Sequence, residues 1–196
     1  MIYDLSHLTQ STRRVYGPIQ DDEALLLYAV VRCTGCRVVL EAGGQTGYSA
    51  RNFLAAVGES GAVYTVDVAP VPRLAENHTV IQADIADVDL AGIPRCGLVF
   101  LDAHHADKQY RFCERAVEAG VIGDGTTIVC HDTGLHGEKF VEWSVPCGQR
   151  WAHQPEDRRL VEMLRSQGWV AVHAHDDDSP EPRHGLTLLQ RFRSLA

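Results

Sequence analysis

Residues 37–49 read Arg-Val-Val-Leu-Glu-Ala-Gly-Gly-Gln-Thr-Gly-Tyr-Ser, and this stretch decides the fold. Val38, Val39 and Leu40 predict a strand that is buried on both faces. The glycines that follow predict a tight turn, because glycine accepts left-handed backbone angles and close approach of a ligand. Residues 48–57 then predict a helix with apolar positions on one side. Strand, glycine turn and helix together form the ligand-binding entry of an open α/β sheet.

The rest of the chain repeats this alternation of strands and helices. The predicted strands are 62–66, 79–82, 97–101, 126–130, 169–173 and 185–192, and the further predicted helices are 21–31, 110–119 and 156–167. Such alternation predicts a mostly parallel sheet with helices on both faces. A length of 196 residues fits one domain. We expect a single domain over residues 1–196, with an N-terminal helical cap at 1–36 and a core at 37–196.

Composition and charge exclude several classes of protein. A net charge of -8 opposes a large nucleic-acid footprint, which needs clustered Lys and Arg. The sequence has no apolar run of transmembrane length, and its N-terminus lacks the pattern of a signal peptide. Cys33 and Cys36 form the single closely spaced pair among six cysteines, and one such pair cannot complete a zinc site. We therefore expect a cytoplasmic protein with reduced thiols and without nucleic-acid or membrane partners.

The glycine spacing differs from the dinucleotide fingerprint G-x-G-x-x-G. The pattern is Glu41-x-Gly43-x-x-x-Gly47, followed by Tyr48 and Ser49. Glu41 closes the strand, and a carboxylate there repels a pyrophosphate but accepts hydrogen bonds from an ammonium-bearing ligand. The pattern resembles the class I methyltransferases that depend on S-adenosylmethionine (SAM). It is most similar to the small-molecule O-methyltransferases related to catechol O-methyltransferase.

The resemblance covers residues 16–192 and implies a Rossmann-like class I methyltransferase fold. Its sheet is seven-stranded and mostly parallel, with an antiparallel last strand and helices on both faces. The implied cofactor is SAM. A carboxylate at the end of the second strand, Asp67, suits the ribose hydroxyls, and Asp84 in the family's position suits the adenine amine. The cofactor-binding residues predicted in this way are Glu41, Gly43, Gly47, Tyr48, Ser49, Asp67, Asp84 and Asp102.

Two further strands end in acidic residues that are flanked by histidine. The sequences are Asp102-Ala-His104-His105 and His131-Asp132-Thr133. Neighbouring strand tips bring the two carboxylates to one rim, where they suit Mg²⁺. The resemblance implies metal ligands at Asp102 and Asp132. It places an amide where this chain has Thr133, which we retain as the third predicted ligand.

The histidines leave two questions open at the level of sequence. His104, His105 and His131 could suit a softer metal such as Zn²⁺, Mn²⁺ or Fe²⁺. The resemblance also implies a general base shortly after Asp102. His105 is the predicted base, with His104 and His131 as rivals, because imidazole titrates near neutral pH.

The leading hypothesis from the sequence is transfer of a methyl group from SAM to a hydroxyl of a small molecule, with Mg²⁺ or another divalent metal, a histidine base, or both. A metal-dependent hydroxylase or hydrolase on the same fold is the first alternative. A non-catalytic SAM-binding protein is the second. We expect the N-terminal segment and the long connection at 135–155, with Trp143 and Trp151, to contact the substrate. The short chain also makes a homodimer an option.

Overall fold

The computed structural model describes residues 19–134, 142–144, 150–152, 156–174 and 185–191. The helices are α1 (Asp21–Thr34), α2 (Tyr48–Val57), α3 (Ala106–Glu118) and α4 (Glu156–Ser166). The strands are β1 (Val38–Ala42), β2 (Ala62–Asp67), β3 (His78–Gln82), β4 (Leu98–Leu101), β5 (Thr127–Cys130), β6 (Glu142–Ser144), β7 (Arg150–Ala152), β8 (Val170–Ala174) and β9 (Leu186–Gln190). Residues 1–18 and the side chains of residues 135–155, with the predicted substrate contacts, lie outside the described residues.

The main sheet has seven strands in the order β3-β2-β1-β4-β5-β9-β8. Strand β1 pairs in parallel with both β2 and β4, and β9 pairs antiparallel with β5 and β8. The predicted fold class, including the antiparallel last strand, is confirmed. The chain leaves β1 toward one edge of the sheet and returns at β4 to build the other. This topological switch point between β1 and β4 is where ligands bind in open α/β sheets.

Two apolar layers cover the two faces of the sheet. One layer packs α3 and α4 against it through Phe112, Ala116, Leu160 and Leu164, among other residues. The other layer packs α1 and α2 through Leu27, Val31, Phe53 and Val57. All of these side chains are fully buried or nearly so, which explains why the strands read as continuous apolar runs.

Helix α3 begins at Ala106, four residues before the predicted start at Tyr110. Its first turn carries the polar residues Asp107, Lys108 and Gln109, so the apolar periodicity does not reveal it. A tertiary contact supports this end of the helix, because the Ala106 N–H donates to Glu156 Oε2 at 3.1 Å. The extra turn matters for the site, since it brings Lys108 and Gln109 next to the tip of β4.

The connection at 135–155 differs from the sequence prediction of a loop without strands. Strands β6 and β7 pair antiparallel as a separate two-stranded sheet, with Trp143 opposite Trp151. The strands have three residues each, which is too short for an alternating pattern to be recognised.

None of the helices that the structure describes combines the length and the apolar composition needed to cross a bilayer.

Candidate active site

A cavity of about 540 Å³ opens at the carboxyl ends of the strands, next to the switch point. This volume falls in the usual range for small-molecule and cofactor sites. Four of the predicted cofactor-binding residues line it, namely Gly43, Asp67, Asp84 and Asp102. His104, His105 and Lys108 line the same cavity. The strand tips therefore bring together side chains that are far apart in the sequence.

Gly43 brings the turn after β1 against the tip of β4. Its φ is +96°, and a Cβ at this position would lie 2.4 Å from the Asp102 carbonyl oxygen. Asp67 holds the same turn from the other side, because its Oδ2 accepts the N–H groups of Gly44 at 2.8 Å and Gln45 at 2.9 Å. Asp67 Oδ1 accepts the N–H of Ala69 at 2.8 Å. The carboxylate predicted to contact a ribose thus also shapes the glycine turn.

A second group of predicted cofactor residues forms a buried network under the turn. Glu41 is fully buried, and its carboxylate accepts hydrogen bonds from the Ser49 hydroxyl and, at 2.7 Å, from the Thr65 hydroxyl. Thr65 Oγ1 lies 2.9 Å from His78 Nε2. The Leu74 N–H donates to His78 Nδ1 at 3.2 Å, so Nε2 carries the proton and donates to Thr65.

The remaining two predicted cofactor residues lie at the start of α2. Gly47 caps the helix in the left-handed conformation, with φ +78°. The Tyr48 hydroxyl donates to Asp21, which begins α1. Of the described residues, Glu41, Gly47, Tyr48 and Ser49 are not among those that line the cavity. The structure places them where they hold α1, α2 and the glycine turn together.

The burial of Glu41 predicts a pH-dependent stability. Burial raises the pKa of Glu41 from 4.5 to about 7, because hydrogen bonds from Ser49 and Thr65 offset only part of the desolvation, while Asp102 and Asp67 add repulsion. The folded state therefore holds this proton more tightly than the unfolded state does. The contribution of Glu41 to stability is fully present below pH 4.5 and is lost as the pH rises through 7.

We expect Glu41→Gln to raise the free energy of unfolding at pH 8 by roughly 1–3 kcal/mol, because glutamine stays neutral. Near pH 4 the variant and the wild type should unfold alike. Urea denaturation of the SAM-free protein at both pH values measures this difference. Parallel pH profiles for the two proteins would contradict the assignment of a raised pKa to Glu41.

His131 joins the two strand tips to the N-terminal helix. Its Nδ1 lies 3.0 Å from Asp102 Oδ1, and its Nε2 lies 3.1 Å from Glu23 Oε2. Burial alone would lower the pKa of His131, but Asp132, Asp102 and Glu23 raise it well above its usual range. The raised pKa favours the imidazolium form, which donates on both sides and has no ring nitrogen left to accept a proton.

Glu23, in the first turn of α1, is a site residue that was not predicted from the sequence. Its Oε2 accepts the Gln20 N–H at 2.8 Å in a capping box, and its Oε1 accepts the Gly185 N–H at 2.7 Å. Burial would raise the pKa of Glu23, but the charge of His131 and these hydrogen bonds lower it. The capping-box spacing was visible in the sequence, whereas the contact with His131 was not.

His104 lies between three carboxylates at the edge of the cavity. Its Nδ1 is 3.1 Å from Asp157 Oδ2, and its Nε2 is 3.5 Å from Asp102 Oδ1 and 3.8 Å from Asp132 Oδ2. Burial would lower the pKa of His104, but the hydrogen bond with Asp157 and the charges of Asp102, Asp157 and Asp132 raise it to about 9. Asp157, its partner Gln109 and the cavity-lining Lys108 are further site residues that sequence patterns did not reveal.

Asp102, His104 and Asp132 form a group that could hold a metal ion. Each offers one ligand atom, and these atoms all lie within 4.8 Å of one another. Thr133, the third predicted ligand, is engaged elsewhere. Its hydroxyl donates to the Gly185 carbonyl oxygen at 3.3 Å and accepts from the Thr187 hydroxyl at 2.8 Å.

Asp84 and His105 also line the cavity. Asp84 pairs with Lys108 and accepts the Ala86 N–H at 2.9 Å. These hydrogen bonds hold the pKa of Asp84 below its usual range. His105 is exposed, has an extended backbone and immediately precedes α3. A residue in this place can reach a substrate bound in the cavity.

Comparison with known proteins finds a match to a family model and to many solved structures. Residues 40–133 match the model of a family described as a methyltransferase domain. No curated protein matches the sequence. The matched residues run from β1 to the tip of β5, so they include the glycine turn, Asp67, both strand-tip aspartates and all three predicted histidines.

Three solved structures illustrate the fold. The O-methyltransferase TomG from Streptomyces achromogenes, in complex with SAM, is 19% identical over 89% of this chain and 81% of its own, with a TM-score of 0.61. The O-methyltransferase from Bacillus cereus, in complex with SAH, is 15% identical over 90% and 84%, with a TM-score of 0.63. The SAH-bound methyltransferase PaMTH1 from Podospora anserina is 14% identical over 87% and 78%, with a TM-score of 0.61.

Identities this low establish a shared fold, and the family model matches slightly less than half of the chain. The strand order, the cavity at the switch point and the matched residues agree with the predicted resemblance. Residues 40–133 therefore match a methyltransferase domain model, and the chain shares the fold of these solved methyltransferases.

Proposed function

We propose that the protein transfers a methyl group from SAM to a hydroxyl of a small molecule. The observation that carries this proposal is the cavity at the switch point, which has three aspartates in its lining and an Asp/His group at its edge. The O-methyltransferases of similar fold from Streptomyces achromogenes and Bacillus cereus hold SAM or SAH. Their likeness supports both the cofactor and the class of acceptor.

The charge of the cavity suits this cofactor. SAM carries a cationic sulfonium and an ammonium group, and Asp67, Asp84 and Asp102 supply carboxylates at the cavity wall. Gly43 allows the close contact between the turn and the tip of β4, while Asp67 keeps the turn in place through Gly44 and Gln45. These residues would orient the methyl group toward an acceptor oxygen, and orientation of this kind contributes a large part of the rate.

The acceptor hydroxyl must lose its proton during transfer, and His105 is the base that we propose. It lines the cavity and is exposed, so it can reach the acceptor. The rivals named from the sequence have other partners. His131 faces Asp102 and Glu23 with its two nitrogens, and His104 faces Asp157 with one of its nitrogens and the strand-tip aspartates with the other.

The residues at the cavity edge fit a divalent metal. Two carboxylates and one imidazole offer ligand atoms within 4.8 Å of one another. A bound cation would act as a Lewis acid and lower the pKa of the acceptor hydroxyl. Asp102, His104 and Asp132 would hold it, while Asp67 and Asp84 lie toward the cofactor.

We expect His105→Ala to lower turnover about 10²–10⁴-fold while the affinity for SAM stays near that of the wild type, because only the proton transfer is lost. Turnover is measured as release of SAH with a panel of phenols, sugars and other hydroxylated molecules. Calorimetric titration with SAM and SAH gives the affinities. Unchanged turnover in His105→Ala would reject His105 as the base.

The same titration tests the proposed function itself. Micromolar binding of both SAM and SAH to chelator-treated protein is the expected result. A protein that binds neither cannot be a SAM-dependent methyltransferase. SAM binding without SAH release from any acceptor would instead favour a non-catalytic SAM-binding protein.

The imidazole within the carboxylate group favours one other candidate, a metal-dependent hydroxylase or hydrolase on the same fold. One histidine and two carboxylates also suit Fe²⁺ chemistry. Purified protein that contains iron and does not bind SAM would select this candidate over methyl transfer.

A further inference from the structure

We propose that His104 is the third protein ligand of the metal centre, beside Asp102 and Asp132, and that Asp157 positions it. An imidazole ligand selects Mn²⁺, Fe²⁺, Co²⁺ or Zn²⁺ over Mg²⁺. This inference rests on the proposed function only because it concerns the same site. It puts His104 in place of Thr133, which was the third metal ligand predicted from the sequence, and it names the class of metal.

A chain of hydrogen bonds determines which nitrogen of His104 faces the carboxylates. The Ala103 N–H can only donate, and it reaches Gln109 Oε1 at 3.0 Å. The amide of Gln109 is thereby oriented, and its Nε2 donates to Asp157 Oδ1 at 3.1 Å. Asp157 accepts this bond, and its Oδ2 lies 3.1 Å from His104 Nδ1. Nδ1 therefore carries the proton, and Nε2 is the nitrogen directed at Asp102 and Asp132.

This arrangement matches the surroundings of histidines that bind metals. Such histidines donate their second ring nitrogen to a carboxylate, which fixes the tautomer and makes the ligating nitrogen more basic. Asp157 is itself 5% exposed and Gln109 is fully buried. The carboxylate that orients His104 is thus held rigidly between α3 and α4.

The distances around Nε2 favour ligands of one ion over direct hydrogen bonds. Nε2 lies 3.5 Å from Asp102 Oδ1 and 3.8 Å from Asp132 Oδ2. A charge-assisted hydrogen bond would bring these atoms to about 2.7–2.9 Å. Two ligand atoms at about 2.1 Å from a metal, in tetrahedral directions, lie about 3.4 Å apart. The observed separations are close to this value.

The backbone conformation of His104 and Asp132 gives an independent indication of a functional site at these two residues. His104 and Asp132 each have a φ of 54°, a left-handed conformation that side chains with a Cβ rarely adopt. Among the described residues, Gln45 is the one other non-glycine residue with positive φ. Strained residues of this kind cluster at functional sites, where the surrounding structure maintains them. Here both strained strand tips contribute to the same group of ligands.

Thr133 does not offer a comparable ligand. Its hydroxyl donates to Gly185 and accepts from Thr187, and the side chain is fully buried. Carboxylates alone would suit Mg²⁺, whereas an imidazole nitrogen shifts the preference toward later first-row metals. The geometry also fits a metal-free site, in which a His104 imidazolium neutralises Asp102, Asp132 and Asp157 in place of a metal ion. Direct measurement of metal binding distinguishes the metal-bound site from the metal-free site.

The test uses the untagged full chain after chelator treatment, without SAM. We expect Mn²⁺ and Co²⁺ to bind at least about tenfold more tightly than Mg²⁺ by calorimetric titration. Bound Mn²⁺ should show ¹⁴N coupling from a histidine in pulsed electron paramagnetic resonance. His104→Ala should lose this coupling and weaken Mn²⁺ binding, while Thr133→Val should keep both.

Asp157→Asn tests the positioning role. We expect it to weaken Mn²⁺ binding about 10–100-fold, since loss of the carboxylate partner lowers the basicity of a histidine ligand. Asp157→Glu should restore part of the affinity. Asp107→Asn is the matched control, because Asp107 is an exposed carboxylate on α3 that pairs with Arg159 at the surface, and it should leave the affinity unchanged.

Three results would overturn the proposal: no binding of Mn²⁺ or Co²⁺, ¹⁴N coupling that survives in His104→Ala, or equal effects of Asp157→Asn and Asp107→Asn. Failure of this inference is distinct from failure of the proposed function. SAM binding without metal binding would leave methyl transfer standing. Metal binding without SAM binding would leave the metal centre standing and remove methyl transfer.

Discussion

Gly43→Ala should lower the affinity for SAM by at least about 100-fold, equivalent to about 2.7 kcal/mol of binding free energy. The new Cβ would lie 2.4 Å from the carbonyl oxygen and 2.7 Å from the carbonyl carbon of Asp102. Both neighbours are backbone atoms at the tip of β4, so neither can rotate away. The turn and Asp102 must therefore move apart, and both belong to the cavity wall.

The φ of +96° at Gly43 adds a cost that is independent of this clash. A left-handed conformation costs a residue with a Cβ roughly 1–2 kcal/mol. Gly58→Ala is the matched control. Gly58 has a φ of +68°, but a Cβ there would meet nothing within 4 Å.

Calorimetric titration with SAM and urea denaturation should be applied to both variants. We expect both to lose stability, and only Gly43→Ala to lose SAM affinity. Equal affinities in the two variants would show that the close contact between Gly43 and Asp102 does not shape the cofactor site.

His131→Leu should reduce the free energy of unfolding by about 3–5 kcal/mol, the usual cost of removing one partner of a buried ion pair. The imidazolium ring faces Asp102 on one side and Glu23 on the other, and it is 3% exposed. Leucine fills a similar volume but supplies neither a charge nor a hydrogen bond. Glu23 and Asp102 would then lose the cation between them.

His78→Leu is the control for this prediction, because it removes a fully buried imidazole that touches no carboxylate. His78 contacts the Thr65 hydroxyl and the Leu74 N–H, so its loss should cost only about 1–3 kcal/mol. In a double-mutant cycle, Glu23→Leu combined with His131→Leu should destabilise by less than the sum of the single variants. Additive effects would mean that Glu23 and His131 are not coupled.

Local patterns in the sequence were enough to predict most of the fold. The predicted helix at 48–57 matches α2, and the predicted strand ends at Glu41, Asp67 and Asp102 lie within one residue of the observed ends. Asp132 follows the end of β5 by two residues. Buried parallel strands read as apolar runs, and acidic residues mark where each run stops. Because parallel strands share one carboxyl edge, the same pattern predicted that Asp67 and Asp102 would lie together, and both line the cavity.

The antiparallel last strand came from the resemblance to methyltransferases. Periodicity shows where a strand lies and says nothing about its direction. The pairing of β9 between β5 and β8 confirms the resemblance. The metal, the base and the acceptor stay predictions, to be tested by the experiments proposed above.

The sequence by itself determined the alternating elements, the glycine turn and the set of strand-tip residues, because each depends on contacts between near neighbours in the chain. Only the tertiary structure decided what surrounds the histidines. Asp157 reaches His104 across 53 positions and Glu23 reaches His131 across 108. No local pattern records such pairs, because they form only when α1 and α4 pack against opposite faces of the sheet. The packing of the helices therefore determines which carboxylates face each histidine.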